Sequence, residues 1–320
     1  MKQRHLKGFL GTLLLTVSGV LTASYYFYRK AFGRNRKKFM DRDEALQDMR
    51  TEAKWELGKE WLERQPYEEI AVESYDRLRL KATCLESFYP SNRHVLLAHG
   101  YGSTAKGMAV FAKFYHEALG FNVLMPDNRG HGKSQGHYIG FGWHDRKDIL
   151  AWIDFLVQSY GQDIEIVLHG ISMGGSTVLM AGGEPLPPQV KCIVSDCAYD
   201  TVDHLMGYQL KRMYKVPYFP IIPLVSLILR IKAGYGMKDA NALKQVRKCR
   251  LPILFIHGGD DRFVPTEMVG RLHDAAAGEK ELLIIEGAGH AMAYWKDPVQ
   301  YKNRVAAFVK KYIQPREEEK

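Results

Sequence analysis

The chain of 320 residues is 46% hydrophobic and 25% charged, a balance that suits one full-sized α/β domain with additions and excludes a disordered or fibrous protein. Its formal charge of +9 does not mark a nucleic-acid binder, because nine bases and no acid precede Asp41, while the remaining 36 bases match the 36 acids. The four cysteines, Cys84, Cys192, Cys197 and Cys249, lack C-x-x-C spacing and offer no metal framework.

Gly8 to Tyr28 is uncharged, largely apolar and 21 residues long. At about 1.5 Å per residue such a helix covers a hydrocarbon core of about 30 Å, so the stretch is expected to span a membrane. Tyr25, Tyr26, Phe27 and Tyr28 would close it as an aromatic belt, followed by the bases from Arg29 to Lys38. A cleaved signal peptide is the rival, with Leu21-Thr22-Ala23 as a poor cleavage site. The positive-inside bias favours a cytoplasmic domain at the cell membrane, whereas Lys2, Arg4 and Lys7 held inside would put the domain on the other face. From Asp41 to Gln65, Ala45, Leu46, Met49, Trp55, Leu57, Trp61 and Leu62 recur at spacings compatible with an amphipathic stalk helix, or with a solvated spacer, before Pro66.

Two alternating runs, Glu69 to Tyr75 and Leu78 to Phe88, flank Asp76-Arg77 and predict an antiparallel hairpin. Strand and helix then alternate. Strands are expected at His94 to Ala98, Phe121 to Met125, Ile164 to Leu168, Val190 to Ser195, Pro252 to Ile256 and Leu282 to Ile285. Helices are expected at Lys106 to Leu119, Trp143 to Tyr160, Ser176 to Ala181, Thr266 to Ala276 and Pro298 to Tyr312. This pattern implies a mostly parallel sheet covered by helices on both faces, with a site at the carboxyl ends of the strands. Cys192 and Cys197 would share one strand, where five residues span roughly 16 Å against the roughly 5.5 Å of a disulfide, so free thiols are expected. Free thiols lean toward a reducing compartment.

The alternation lapses between Ala198 and Arg250, where Tyr208 to Tyr214 and the proline-containing run Pro217 to Leu229 show no clear strand. A segment that long is usually functional, and a helical cap is expected there. Its apolar part is too short and too rich in proline for a second span. The chain thus divides into a membrane anchor at 1–30, a basic juxtamembrane and stalk segment at 31–66, a globular domain at 67–315 with a cap at about 198–250, and a charged tail at 316–320.

Gly170-Ile171-Ser172-Met173-Gly174 stands between a predicted strand and a predicted helix. A serine on so sharp a turn has a strained backbone and needs small residues two places to either side, and the turn lifts its hydroxyl beside the first amides of the helix. Ser172 is therefore a candidate nucleophile. Leu97-Ala98-His99-Gly100-Tyr101-Gly102 follows the first parallel strand and can offer the Tyr101 N–H, or in reserve that of Gly102, to share an oxyanion with Met173 N–H. Asp261, or Asp260 if the loop is shifted by one, can orient an imidazole, and His290, set among glycines after the last strand, can supply it. The order Ser172, Asp261, His290 is that expected behind such an elbow.

On these residues, together with His99-Gly100 and Asp127-Asn128-Arg129-Gly130-His131-Gly132-Lys133-Ser134, the chain from about Glu69 to Tyr312 resembles the α/β-hydrolase superfamily. Within it the chain looks most similar to membrane-anchored bacterial hydrolases related to the Bem46-like and prolyl-oligopeptidase-like serine hydrolases. The resemblance implies an α/β-hydrolase fold, a Ser172, Asp261 and His290 triad, an acyl-enzyme intermediate and no cofactor or metal. It gives the turn at Asp127 to Ser134 a structural role. It carries over no substrate, since such frameworks cleave esters, thioesters, amides and peptides. The apolar cap favours a small-molecule or lipid-like acyl ester and the partner a membrane rather than nucleic acid, with a serine peptidase or aminopeptidase, or a non-catalytic membrane-anchored binding protein, as alternatives.

Overall fold

The computed structural model describes residues 2–35, 37–51 and 54–313; the side chains of residues 2–4 and 6–10 lie outside the description, as do Arg36 and the tail at 316–320. The bases Lys2, Arg4 and Lys7 used above for orientation are among those side chains. Eight strands are formed, β1 (Glu68–Glu73), β2 (Arg79–Leu85), β3 (Arg93–Ala98), β4 (Asn122–Pro126), β5 (Glu165–Ile171), β6 (Val190–Asp196), β7 (Ile253–Gly258) and β8 (Lys280–Ile285). The helices are α1 (Lys2–Phe32), α2 (Gln47–Thr51), α3 (Lys54–Glu63), α4 (Ala109–Lys113), α5 (Asp145–Tyr160), α6 (Met173–Gly182), α7 (Val202–Tyr214), α8 (Ile221–Ala233), α9 (Ala242–Val246), α10 (Glu267–Ala275), α11 (Ala293–Lys296) and α12 (Pro298–Tyr312).

The strands make one sheet in the order β1-β2-β4-β3-β5-β6-β7-β8. β1, β2 and β4 pair antiparallel, and every pair from β4 through β8 is parallel. β3, β5, β6 and β7 are buried nearly throughout because both of their faces are covered. Leu168, Ile193 and Phe255 point into one core with α5, α6 and the cap, while Val167, Val194 and Ile256 point into the other with α4, α11 and α12. The order reverses between β3 and β5, which opens a crevice at their carboxyl ends.

Three expectations change. The helix foreseen at Lys106 to Leu119 is a 3-10 turn at Ala105–Met108, the short α4 and a wide π turn at Phe114–Ala118. The stalk is not one helix either. Short turns at Met40–Arg42 and Glu44–Leu46 precede α2 and α3, and Leu46, Trp61 and Leu62 are buried against the sheet's helices.

The third concerns α1. Among the described residues no helix is long and apolar enough to cross a membrane, so the span expected at Gly8 to Tyr28 is not carried by this structure. Residues foreseen as an interfacial belt pack on the protein instead: Phe27 meets Tyr214 of α7 edge-on at 5.0 Å, and Tyr28 stacks on the fully buried Phe32. α1 ends by pairing Gly33 with Tyr138, and Phe32 O accepts the Ile139 N–H at 2.8 Å. The described part of the helix mixes Thr12, Thr16, Ser18, Gly19, Thr22 and Ser24 among its leucines, which lowers its hydropathy, and its last turns pack on the cap and the 138–141 loop while Leu13, Leu14 and Leu15 are exposed.

Between Ala198 and Arg250 the chain forms α7, α8 and α9, the helical cap foreseen there. All four cysteines are buried and free.

Candidate active site

β5 ends in the turn that carries Ser172, whose φ of 56° and ψ of −116° lie where a side chain is strained. The glycines on either side are required by space. A Cβ on Gly170 would come within 2.2 Å of Gly174 O, and one on Gly174 within 2.0 Å of Ala98 O. The strain is held by the Ser172 N–H bond to Asp196 O at 2.8 Å, which ties the elbow to the end of β6.

Ser172 Oγ lies 2.8 Å from His290 Nε2, and His290 Nδ1 lies 2.7 Å from Asp261 Oδ2. All three residues are buried. The structure therefore brings together the three residues singled out from separate strand ends of β5, β7 and β8. With the carboxylate ionised, Nδ1 donates to Asp261 and Nε2 is left to accept the Ser172 proton. Asp260 is exposed and its N–H is bound to Ala288 O, so the loop is not shifted by one.

The carboxylate is prepared from both sides. Asp261 Oδ1 accepts the N–H groups of Phe263 and Val264 at 2.9 and 2.8 Å. Burial would raise its pKa, but His290 and His257 outweigh burial and hold it well below the usual carboxylate range. His257 is a functional residue that sequence reasoning passed over. Its Nε2 lies 3.2 Å from Asp261 Oδ2 and 2.9 Å from Val264 O, and although burial opposes its charge, Asp261 raises its pKa. It stands four residues before Asp261 in the chain, but only the folding back of the loop turns that spacing into a contact.

Below the elbow lies a second network with no motif of its own. His169 on β5 sits between the hydroxyls of Tyr115 and Tyr301, at 3.1 and 3.2 Å, and Tyr301 donates to Asp196 Oδ2 at 3.0 Å. Burial moves the His169 pKa down to about 3 and the Asp196 pKa up to about 6, so the imidazole is neutral.

Met173 is the first residue of α6, and among the described residues its N–H and that of Tyr101 make no hydrogen bond. The Gly102 N–H, the reserve donor, is taken by His131 Nε2 at 3.2 Å. That bond gives the Asp127 to Ser134 turn its part in the site. His99 Nε2 accepts the Asn128 N–H at 3.0 Å, and Asp127 accepts the Ala105 and Lys133 N–H groups, so the turn braces the loop that carries Tyr101.

Cys197, Asp261 and His290 offer ligand atoms within 4.8 Å of one another. The donor set suits a metal poorly, since the Asp261 to His290 bond occupies both partners and burial raises the Cys197 thiol far above its ordinary pKa, away from the thiolate that a metal needs.

Two clefts meet at Ser172. One, under the cap, is lined by Phe27, Ala31, Tyr101, Met206, Tyr214 and Val225 among others, and is almost wholly apolar. The other holds His290, with Met40, Trp55, Lys59 and Gly100.

A family model described as alpha/beta hydrolase fold matches residues 93–220. The uncharacterized protein YqkD of Bacillus subtilis (strain 168) is 29% identical over 215 residues, covering 67% of this chain and 70% of that protein. Among solved structures, the Pyrococcus furiosus esterase Pf2001 is similar with a TM-score of 0.64 at 23% identity, covering 78% of this chain and 94% of its own. The Pyrococcus horikoshii acylaminoacyl peptidase is similar with a TM-score of 0.58 at 16% identity, covering 81% of this chain and 44% of its own. The sheet order, the elbow after β5 and this match agree on the architecture, and the chain has an α/β-hydrolase fold.

Proposed function

We propose that the protein is a serine hydrolase that cleaves carboxylic esters, with Ser172 as nucleophile, His290 as base and Asp261 as the acid that orients it. The observation that carries this reading is the unbroken chain from Ser172 Oγ through His290 to the ionised, buried Asp261, at 2.8 and 2.7 Å. His290 Nε2 takes the serine proton as Oγ attacks the ester carbonyl, and Asp261 stabilises the imidazolium that forms. The Tyr101 and Met173 N–H groups receive the oxyanion, helped by the amino end of α6. The imidazolium protonates the leaving alcohol, and the neutral imidazole so restored takes a proton from the water that releases the acid.

An ester is favoured over a peptide with a free amino terminus because neither cleft is lined by a carboxylate that could hold a substrate ammonium, among the described residues. Likeness to an acylaminoacyl peptidase keeps a peptidase as the second reading. Closer kinship to Bem46-like hydrolases belongs to the same proposal and rests on the shared motifs. So does a place at a cell membrane with the domain on the cytoplasmic side, supported by the exposed apolar residues Leu13, Leu14 and Leu15 of α1 and the bases that follow it.

Purified protein is expected to be labelled by a fluorophosphonate probe and to hydrolyse p-nitrophenyl esters in preference to aminoacyl anilides. Labelling of Ser172→Ala equal to wild type would sink the assignment, and a preference for anilides would replace the esterase with the peptidase.

A further inference from the structure

The end of α1 is built into the site rather than beside it. Tyr101 Oη donates to Ala31 O at 2.6 Å, so the loop carrying the proposed oxyanion donor is fastened to the last turn of this helix. The same turn is capped by the buried Lys37, whose Nζ donates to the carbonyls of Lys30, Ala31 and Gly33 at 3.1, 3.0 and 2.5 Å. Rings continue the connection, with Phe32 against Phe141 at 4.9 Å and Tyr101 against Phe141 at 5.1 Å.

The two clefts at Ser172 are chemically unequal. His290 lines one of them and is absent from the lining of the other. A base that must protonate the leaving oxygen faces the leaving group, which assigns the cleft with His290 to the alcohol and the apolar one to the acyl chain. Phe27 and Ala31 of α1 form one wall of that acyl cleft, opposite Met206 of α7 and Val225 of α8. Lys30 on the same turns lines the cleft too, its Nζ 5.0 Å from the centre of the Tyr214 ring, and Phe27 is seated edge-on against that ring.

We infer that the last turns of α1 are a specificity-determining wall of an acyl pocket, and that the substrates are esters of medium- to long-chain apolar acids. The inference rests on the ester-hydrolase reading and adds the substrate class to it. Burial of each methylene against such a wall contributes to binding until the cleft is filled, so the preference for chain length reports the wall directly.

The test uses the full chain and p-nitrophenyl butanoate and dodecanoate. Wild type is expected to show the higher kcat/KM for dodecanoate. Ala31→Trp, which fills the cleft from the helix side, is expected to lower the ratio of dodecanoate to butanoate at least tenfold. Phe27→Ala, which opens the wall, is expected to move the optimum to longer chains, and Leu15→Ala, on the same helix but outside the cleft, to leave the profile where it is. Binding of dodecanoate itself, followed by calorimetry below its aggregation concentration, needs no nucleophile and is expected to weaken about tenfold in Ala31→Trp. Ester turnover with the same length profile in all variants, together with unchanged dodecanoate binding, would overturn the pocket. Dodecanoate binding that weakens in Ala31→Trp, in a protein that turns over no ester, would uphold the pocket and overturn the hydrolase reading instead.

Discussion

Two histidines converge on the Asp261 carboxylate, one from each side, and only one of them reaches Ser172. His257 touches neither Ser172 nor the two clefts and acts through Asp261 as a positioning residue. Replacing it with leucine removes a donor from Oδ2 while leaving the Phe263 and Val264 N–H bonds to Oδ1. The expected outcome is a fall in kcat of about tenfold, about 1.4 kcal/mol in the barrier, with KM nearly unchanged. His257→Gln is expected to recover part of the loss through its amide donor, and an equal change in KM would point to a general loss of structure instead.

At the scale of elements, the elbow and the brace around it set the stability of the site. Gly174→Ala would drive a methyl into Ala98 O at the end of β3, and since neither that strand end nor the first turn of α6 can yield freely, a loss of roughly 2–4 kcal/mol is expected by urea unfolding. The brace has a pH signature. Burial, then the nearby His99, pushes His131 down to about 3, so its neutral Nε2 can accept the Gly102 N–H. An unfolded histidine titrates near 6.5, so between roughly pH 6.5 and 3 the unfolded chain binds a proton that the folded protein refuses, and stability falls as pH falls. His131→Gln lacks that proton uptake. Its stability, measured by urea unfolding at a series of pH values, is expected to fall less steeply over the window, by up to about 1.4 kcal/mol per pH unit.

Across the whole molecule, Arg129 joins parts that the chain keeps far apart. Its guanidinium is buried, donates to Asp148 of α5 at 2.7 and 2.6 Å, and reaches Asp76 in the β1-β2 turn at 2.9 Å. Burial pushes the Asp148 carboxyl up to about 7, and the Arg129 guanidinium is the group that opposes that rise. Arg129→Met is expected to cost roughly 3–5 kcal/mol in urea unfolding, because Asp148 is left buried without its partner. Arg129→Met with Asp148→Leu should recover much of that loss, whereas no recovery would place the cost in packing alone. The N-terminal part of the chain is fastened in a similar way. Arg34 donates to Gly132 O and Gly136 O at 2.9 and 3.2 Å, on the same turn that Arg129 occupies.

The sheet, the elbow and the order of Ser172, Asp261 and His290 were legible in the chain because each is a local pattern. Alternating apolar runs specify strands, small residues around a serine specify a strained turn, and glycines free a histidine at a strand end. The sequence by itself thus determined the α/β class and which side chains could carry chemistry. Only the tertiary structure decided that Asp261 rather than Asp260 reaches His290, that His257 stands behind the carboxylate and that His131 occupies Gly102. It also decided what the end of α1 packs on, since Phe32 against Phe141 is a contact between residues more than a hundred positions apart. Hydrophobicity is a property of a residue, whereas the surface that satisfies it exists only once the chain has folded.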